Sequence, residues 1–106
     1  ITSKSENLNA TFDKRFGRAA YFCLFNEENG SIEFHKNEFA EAQGGAGTKA
    51  AEFMVQHKVE KIISGDFGPK AKSLLDRFGI QMLILDQKNL TVGEILEKIK
   101  QKHFVR

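Results

Sequence analysis

The sequence predicts an α/β fold with the element order β-β-β-α-β-α-β-α. Three observations carry that expectation. Three β-favouring segments lead the chain. From residue 48 onward, helical stripes alternate with short apolar runs. Two glycine loops, Gly44-Gly45-Ala46-Gly47 and Gly65-Asp66-Phe67-Gly68-Pro69, each open a helix-like segment. The 106 residues suit a single domain, residues 1–106, large enough to bury roughly two-thirds of its unfolded surface.

Ile1-Thr2-Ser3 reads as the end of a first strand, with a few residues expected before it in the natural protein. Residues 4–17 are polar, with Asn, Asp and Gly, and read as a loop. Ala19 to Phe25 is a dense β-favouring run, apolar on both faces, as expected near the centre of a sheet. Asn29-Gly30 signals a two-residue hairpin turn. That turn would pair Phe25 with Phe34, Leu24 with His35 and Cys23 with Lys36. In the returning strand Ile32 and Phe34 alternate with Glu33 and His35, the pattern of a half-exposed edge.

Ala50, Ala51, Phe53 and Met54 form one stripe of a helix from Thr48 to about His57. Val59 to Ser64 is a short strand. Pro69 suits the first position of the next helix, because the N–H it lacks would be unpaired there anyway. Ala71, Leu74, Leu75 and Phe78 make that helix's apolar face, and Gly79 ends it. Ile80–Leu85 is the last strand. Thr91 and Glu94 form a capping box for the last helix, with Leu90 and Ile95 as a hydrophobic staple. The tail from Gln101 is expected to fray.

These elements imply a site. The hairpin makes strands one and three parallel, and crossover helices bring strands four and five parallel to them. The carboxyl ends of four strands then share one edge, where open α/β sheets bind ligands. Both glycine loops open onto it. Glycine lets the backbone approach a ligand, and helix N-termini offer unpaired N–H groups and partial positive charge. The expected occupant is an anion, with Arg15, Arg18 and Lys70 as counter-charges. Neither loop matches a P-loop or a dinucleotide fingerprint.

Composition narrows the classes. A net charge of +2, with basic and acidic residues interleaved, argues against nucleic acid. No apolar run approaches the ~20 residues of a membrane span, and no signal-peptide pattern is visible. Cys23 is the single cysteine, which excludes a disulfide framework and a cysteine-only metal site within one chain. The expected setting is cytoplasmic.

Several residues have more than one reading. Cys23 is a metal ligand through its thiolate or a small buried hydrophobe. His35 is a ligand near the binding edge or a solvated edge residue. His57, near a helix end, and His103, in the tail, carry no expected role. Arg15 and Arg18 contact an anion at the site mouth, or form a surface pair, or shape the loop through Asp13. Asp66 bonds its own loop or, less simply, a metal. Phe67 is a lid or a core anchor.

Three stretches together resemble one family. They are Asp13-Lys14-Arg15-Phe16-Gly17-Arg18-Ala19 with Tyr21-Phe22, Gly44-Gly45-Ala46-Gly47 with Ala50-Ala51, and Gly65-Asp66-Phe67-Gly68-Pro69-Lys70-Ala71. Gly79-Ile80 fits as well. The chain resembles the dinitrogenase iron–molybdenum cofactor biosynthesis family over nearly its whole length. The resemblance implies a ribonuclease H-like, three-layer α/β/α fold with a mixed five-stranded sheet. It also implies a carrier of an iron–sulfur or molybdenum-containing cluster, or its precursor, passed between donor and acceptor proteins. Many members carry a histidine in an Asn-Pro-His-like stretch before the first glycine loop. Here Asn37-Glu38-Phe39 stands there, with Phe39 in place of that histidine.

Three functions compete. The first is a non-catalytic cluster carrier, bound at Gly44, Gly45, Gly47, Gly65 and Gly68 with Arg15, Arg18 and Lys70, and with His35 and Cys23 as candidate metal ligands. The second is an enzyme, but two-metal nucleases need carboxylates clustered on strands, and Tyr21 to Phe25 offer none. The third is a regulatory or scaffolding module that has lost the cluster. A monomer or a homodimer fits the carrier, since one chain supplies few soft ligands.

Overall fold

A computed structural model describes residues 1–87 and 89–101. The expected fraying tail beyond Gln101, with His103, lies outside the described residues. The described elements are β1 (Thr2–Ser3), β2 (Tyr21–Phe25), β3 (Ile32–Lys36), α1 (Ala46–Gln56), β4 (Lys61–Ser64), α2 (Pro69–Arg77), β5 (Gln81–Ile84) and α3 (Val92–Lys100). The described residues thus form a mixed α/β fold with three helices and two hydrogen-bonded sheets.

The first sheet has the order β1-β2-β3 and is antiparallel throughout. The second pairs β4 with β5 in parallel, Ile62 opposite Met82 and Ile63 opposite Leu83. The expected single five-stranded sheet therefore divides into ladders of three and two strands. Buried hydroxyls occupy the seam. The Thr2 hydroxyl donates to the Asp13 carbonyl and lies 3.1 Å from Ser64 Oγ. Thr2 and Ser64 are fully buried, and the edge of β1 away from β2 is taken by residues 11–13, where the Asp13 N–H donates to Thr2 O (3.1 Å) and the Lys4 N–H to Thr11 O (3.0 Å).

The hairpin register also differs from expectation. Phe25 pairs with Ile32, Leu24 with Glu33 and Cys23 with Phe34. The turn is wider than two residues. Asn26 Oδ1 accepts from the backbone N–H of Glu28 (2.8 Å) and Asn29 (3.3 Å), and Gly30 takes the left-handed conformation at φ 77°. The Asn26 side chain thus starts the turn earlier than Asn29-Gly30 would alone. The shift is two residues, and side chains alternate with period two, so every residue keeps its face.

Phe22 and Cys23 consequently point to opposite sides, as do Ile62 and Ile63. Phe16, Phe22, Met54, Ile62 and Leu75 form the core under α1 and α2. Cys23 packs with Val92 and Leu96 beneath α3, and Phe12 and Ile63 pack with Ile95. Helices therefore cover both faces of the strands.

The helix ends follow their sequence signals. Gly79 adopts φ 71°, its N–H donates to Asp76 O, and the Ile80 N–H donates to Leu75 O, closing α2 in a Schellman motif. Thr91 and Glu94 form the reciprocal capping box of α3, and Leu90 packs with Ile95 as a staple. α1 begins at Ala46 rather than Thr48, so the last two residues of the first glycine loop are its first turn.

Candidate functional site: two helix N-termini at the glycine loops

The two glycine loops do meet. They are joined by residues 14–17, which run between them. A Cβ on Gly17 would lie 2.6 Å from Gly47 N and 2.7 Å from its Cα. A Cβ on Gly65 would lie 2.4 Å from Lys14 Cβ and 2.6 Å from Lys14 O. Only glycine permits backbone to lie against backbone this closely. The helices are in contact as well, since a Cβ on Gly47 would sit 3.5 Å from Ala71 Cβ. Gly47 is in the first turn of α1 and Ala71 in the first turn of α2, so the two N-termini stand side by side.

Neither N-terminus is capped by a side chain, and neither first turn contains an acid. Gly45 caps α1 in the left-handed conformation (φ 72°), and Gly68 caps α2 in an extended one. The first-turn N–H groups of an α-helix have no partner within the helix. Pro69 removes one of them in α2. Gly44, Gly45 and Gly68 each have open space where a side chain would stand. The result is a rim with backbone donors, two positive helix ends and room beside Gly44, Gly45 and Gly68.

Side chains hold this rim in place. Asn37 is the pin. It is buried, and its amide donates to the carbonyls of Gly17 (2.9 Å) and Ala19 (2.8 Å) while Oδ1 accepts from the Phe39 N–H at 3.1 Å. Asp66 Oδ1 accepts from the Phe16 N–H at 3.4 Å, tying the second loop to residues 14–17. Phe67 turns inward against Phe16, with ring centroids 5.1 Å apart, and is a core anchor rather than a lid.

The predicted cations divide. Arg15 grips the buried carboxylate of Asp13 with Nε at 3.1 Å from Oδ1 and a terminal nitrogen at 2.9 Å from Oδ2. That hydrogen bond, then the charge of Asp13, raises the Arg15 pKa above its ordinary value. Arg15 thus shapes the loop. Arg18 donates to the carbonyls of Ala40 and Ala42, bracing the approach to the first glycine loop. Lys70 is exposed in the first turn of α2 and makes no ion pair among the described residues. Sequence reasoning missed Lys49, whose Nζ lies 5.2 Å from the centre of the Phe39 ring beside the first turn of α1. It also missed Asn37's structural role. An Asn directly after a strand and two residues before an unpaired N–H was the available signal.

The two soft-ligand candidates lie elsewhere. Cys23 is buried under α3, and burial raises its thiol pKa. His35 faces the other side of the hairpin. Its ring sits 5.6 Å from Phe53 and 5.2 Å from His57, the C-cap residue of α1, and its Nε2 is 3.0 Å from Glu33 Oε1. The C-cap end of α1 is remote from the glycines that begin it, so His35 is not near the binding edge as expected. Cys23 and His35 point to opposite faces and do not form one ligand set. Among the described residues, no three His, Cys, Asp or Glu side chains gather to hold a metal ion.

A family model described as "Dinitrogenase iron-molybdenum cofactor" matches residues 1–102. The chain belongs to the dinitrogenase iron-molybdenum cofactor family. Among solved structures it is similar to the apo form of the orange protein from Desulfovibrio gigas. That match has 28% identity, 96% of this chain and 85% of the other covered, and a TM-score of 0.86. It is also similar to a putative NifB protein from Thermotoga, assigned to the DUF35 family. That match has 29% identity, 95% and 84% coverage, and a TM-score of 0.79. A search of curated proteins gives no match. No helix among the described residues is long and apolar enough to cross a membrane.

Proposed function

We propose that this chain is a non-catalytic binding or carrier protein for an anionic iron–sulfur or molybdenum-containing cluster, held at the glycine edge. One observation carries the reading: two uncapped helix N-termini, in contact through Gly47 and Ala71, open onto glycines with free space. The cluster is cargo, moving between a donor and an acceptor protein. Backbone N–H groups of the two first turns would hold it by its surface, with Lys70 and Lys49 adding positive charge. Gly44, Gly45, Gly47 and Gly68 form the cradle. Gly65, Arg15 and Arg18 support it from behind. Thiolate or imidazole ligation plays no part in this reading, because Cys23 and His35 lie away from the rim.

Membership of the family and likeness to the orange protein and the NifB-like protein support a cluster-handling role. On the same grounds the chain reads as one cytoplasmic domain over 1–106, with the two ladders acting as the mixed sheet of a three-layer, ribonuclease H-like fold. Among the described residues, no nucleophile with a neighbouring base stands at the rim, which favours a binder over an enzyme.

The test is anaerobic reconstitution, with a soluble thiomolybdate in one arm and ferrous iron plus sulfide in the other. The expected result is a visible chromophore that co-elutes with the protein and survives Cys23→Ala. Gly45→Asp places a carboxylate over the α1 N-terminus and should lower uptake at least about tenfold. No uptake in either arm by folded protein would sink the proposal.

Phe39 favours a second reading, a regulatory module that has lost the cluster. It stands partly exposed beside Lys49, where many relatives are expected to carry histidine. Uptake by Phe39→His alone, and not by the natural sequence, would select that reading.

A further inference from the structure

The strands β3 and β5, which end the two ladders among the described residues, are unlike each other. β3 carries Glu33, His35 and Lys36, and charges of this kind blunt an edge against pairing. Among the described residues β5, Gln81-Met82-Leu83-Ile84, pairs only with β4, and it has no charge at all. Ile84 is 68% exposed, the most exposed large hydrophobic side chain among the described residues. Beside it runs a groove of about 430 Å³ between α2 and β5, floored by Phe67, Ile80, Met82 and Ile84. Lys72 and Asp76, one turn apart on α2, flank it. Neither makes an ion pair among the described residues.

We propose that a second copy of this chain docks on this surface, through antiparallel pairing of β5 with β5 across a two-fold axis. The self-complementarity of the surface argues for a copy rather than a different partner. A two-fold axis at Leu83 sets Met82 of one copy opposite Ile84 of the other, apolar against apolar on the α2 face. It also runs the two α2 helices antiparallel across the groove. Lys72 of each copy then meets Asp76 of the other, so one patch supplies both members of two ion pairs. The antiparallel arrangement puts the two glycine edges at opposite ends, each open. This inference is independent of what the glycine edge binds.

Sedimentation from micromolar to millimolar protein tests it. The expected result is a reversible dimer. Ile84→Lys should leave the secondary structure intact and hold the protein at monomer mass throughout. Lys72→Asp and Asp76→Lys should each weaken association about tenfold by setting like charges together. The double variant, which restores opposite charges, should recover it. Glu33→Lys on the β3 edge should change nothing. A monomer at millimolar concentration, or a dimer that Ile84→Lys leaves intact, would overturn the proposal. So would a dimer lost on Glu33→Lys, or a charge swap that fails to recover association.

Discussion

The two glycine loops use their glycines in different ways. In the first, Gly44 and Gly45 face open space and only Gly47 is packed, at van der Waals distance from Ala71. In the second, Gly65 is pressed onto the backbone of Lys14, while Gly68 stands open. Gly17, in neither loop, is pressed as tightly against Gly47. A glycine motif therefore mixes two requirements. Some positions need glycine so that two chain segments can touch. Others sit at a rim, where a side chain would fit sterically but would take space from a ligand. Substitutions at the two kinds of position should separate stability from binding.

The largest effect is expected at the pressed positions. Gly65→Ala and Gly17→Ala each drive a methyl into neighbouring backbone, which cannot rotate away. Each should cost about 3 kcal/mol of unfolding free energy, read from urea denaturation. A wild-type urea midpoint for either would break the comparison. Asn37→Ala comes next. It strands the carbonyls of Gly17 and Ala19 that the buried amide satisfies, at a cost of about 2 kcal/mol. Since residues 14–17 link the two loops, this variant should also weaken cluster uptake.

Gly45→Ala should cost about 1 kcal/mol, because its φ of 72° strains any L side chain although nothing blocks it. Gly68→Ala is the sharpest control. Its backbone is extended and its surroundings open, so stability should move by less than about 0.5 kcal/mol. Loss of cluster uptake with that small change would separate rim from packing.

The smallest effect concerns the cap of α3, outside both loops. The Thr91 backbone N–H bonded to the Glu94 carboxylate, and then the Thr91 side chain, hold the Glu94 pKa below its ordinary value. A depressed carboxyl stabilises the fold above its unfolded pKa, and that contribution is lost as pH falls through the folded value. Glu94→Gln should therefore flatten a small part of the stability lost between about pH 7 and about pH 3. Equal acid sensitivity in both proteins would count against it.

Much of the fold was legible from local chemistry. Pro69 at the first position of α2, Gly79 beyond its end and the Thr91/Glu94 box all stand where their sequence signals put them. Each is decided within one turn of chain. The hairpin register was misread by two residues because Asn26 competes for the turn through its own side chain. Arg15 and Arg18 look alike in sequence. Only the fold gives Arg15 to the Asp13 carboxylate and Arg18 to the carbonyls of Ala40 and Ala42. His35 was expected near the binding edge. The packing of Phe53 and His57 over it places it at the other end of α1.

By itself the sequence determined the elements and their order, because those follow from periodicity and short-range hydrogen bonding, but not every inward face: Phe78, expected on the apolar face of α2, is its C-cap residue and 56% exposed. The sequence also marked two glycine-led helix starts, Gly44–Gly47 and Gly65–Pro69. Tertiary structure decided how the sheet divides at the buried Thr2–Ser64 seam, and which glycines are pressed and which are open. It also decided that the two helix starts touch. Those outcomes depend on distances between residues tens of positions apart, and such distances exist only once the chain has closed on itself.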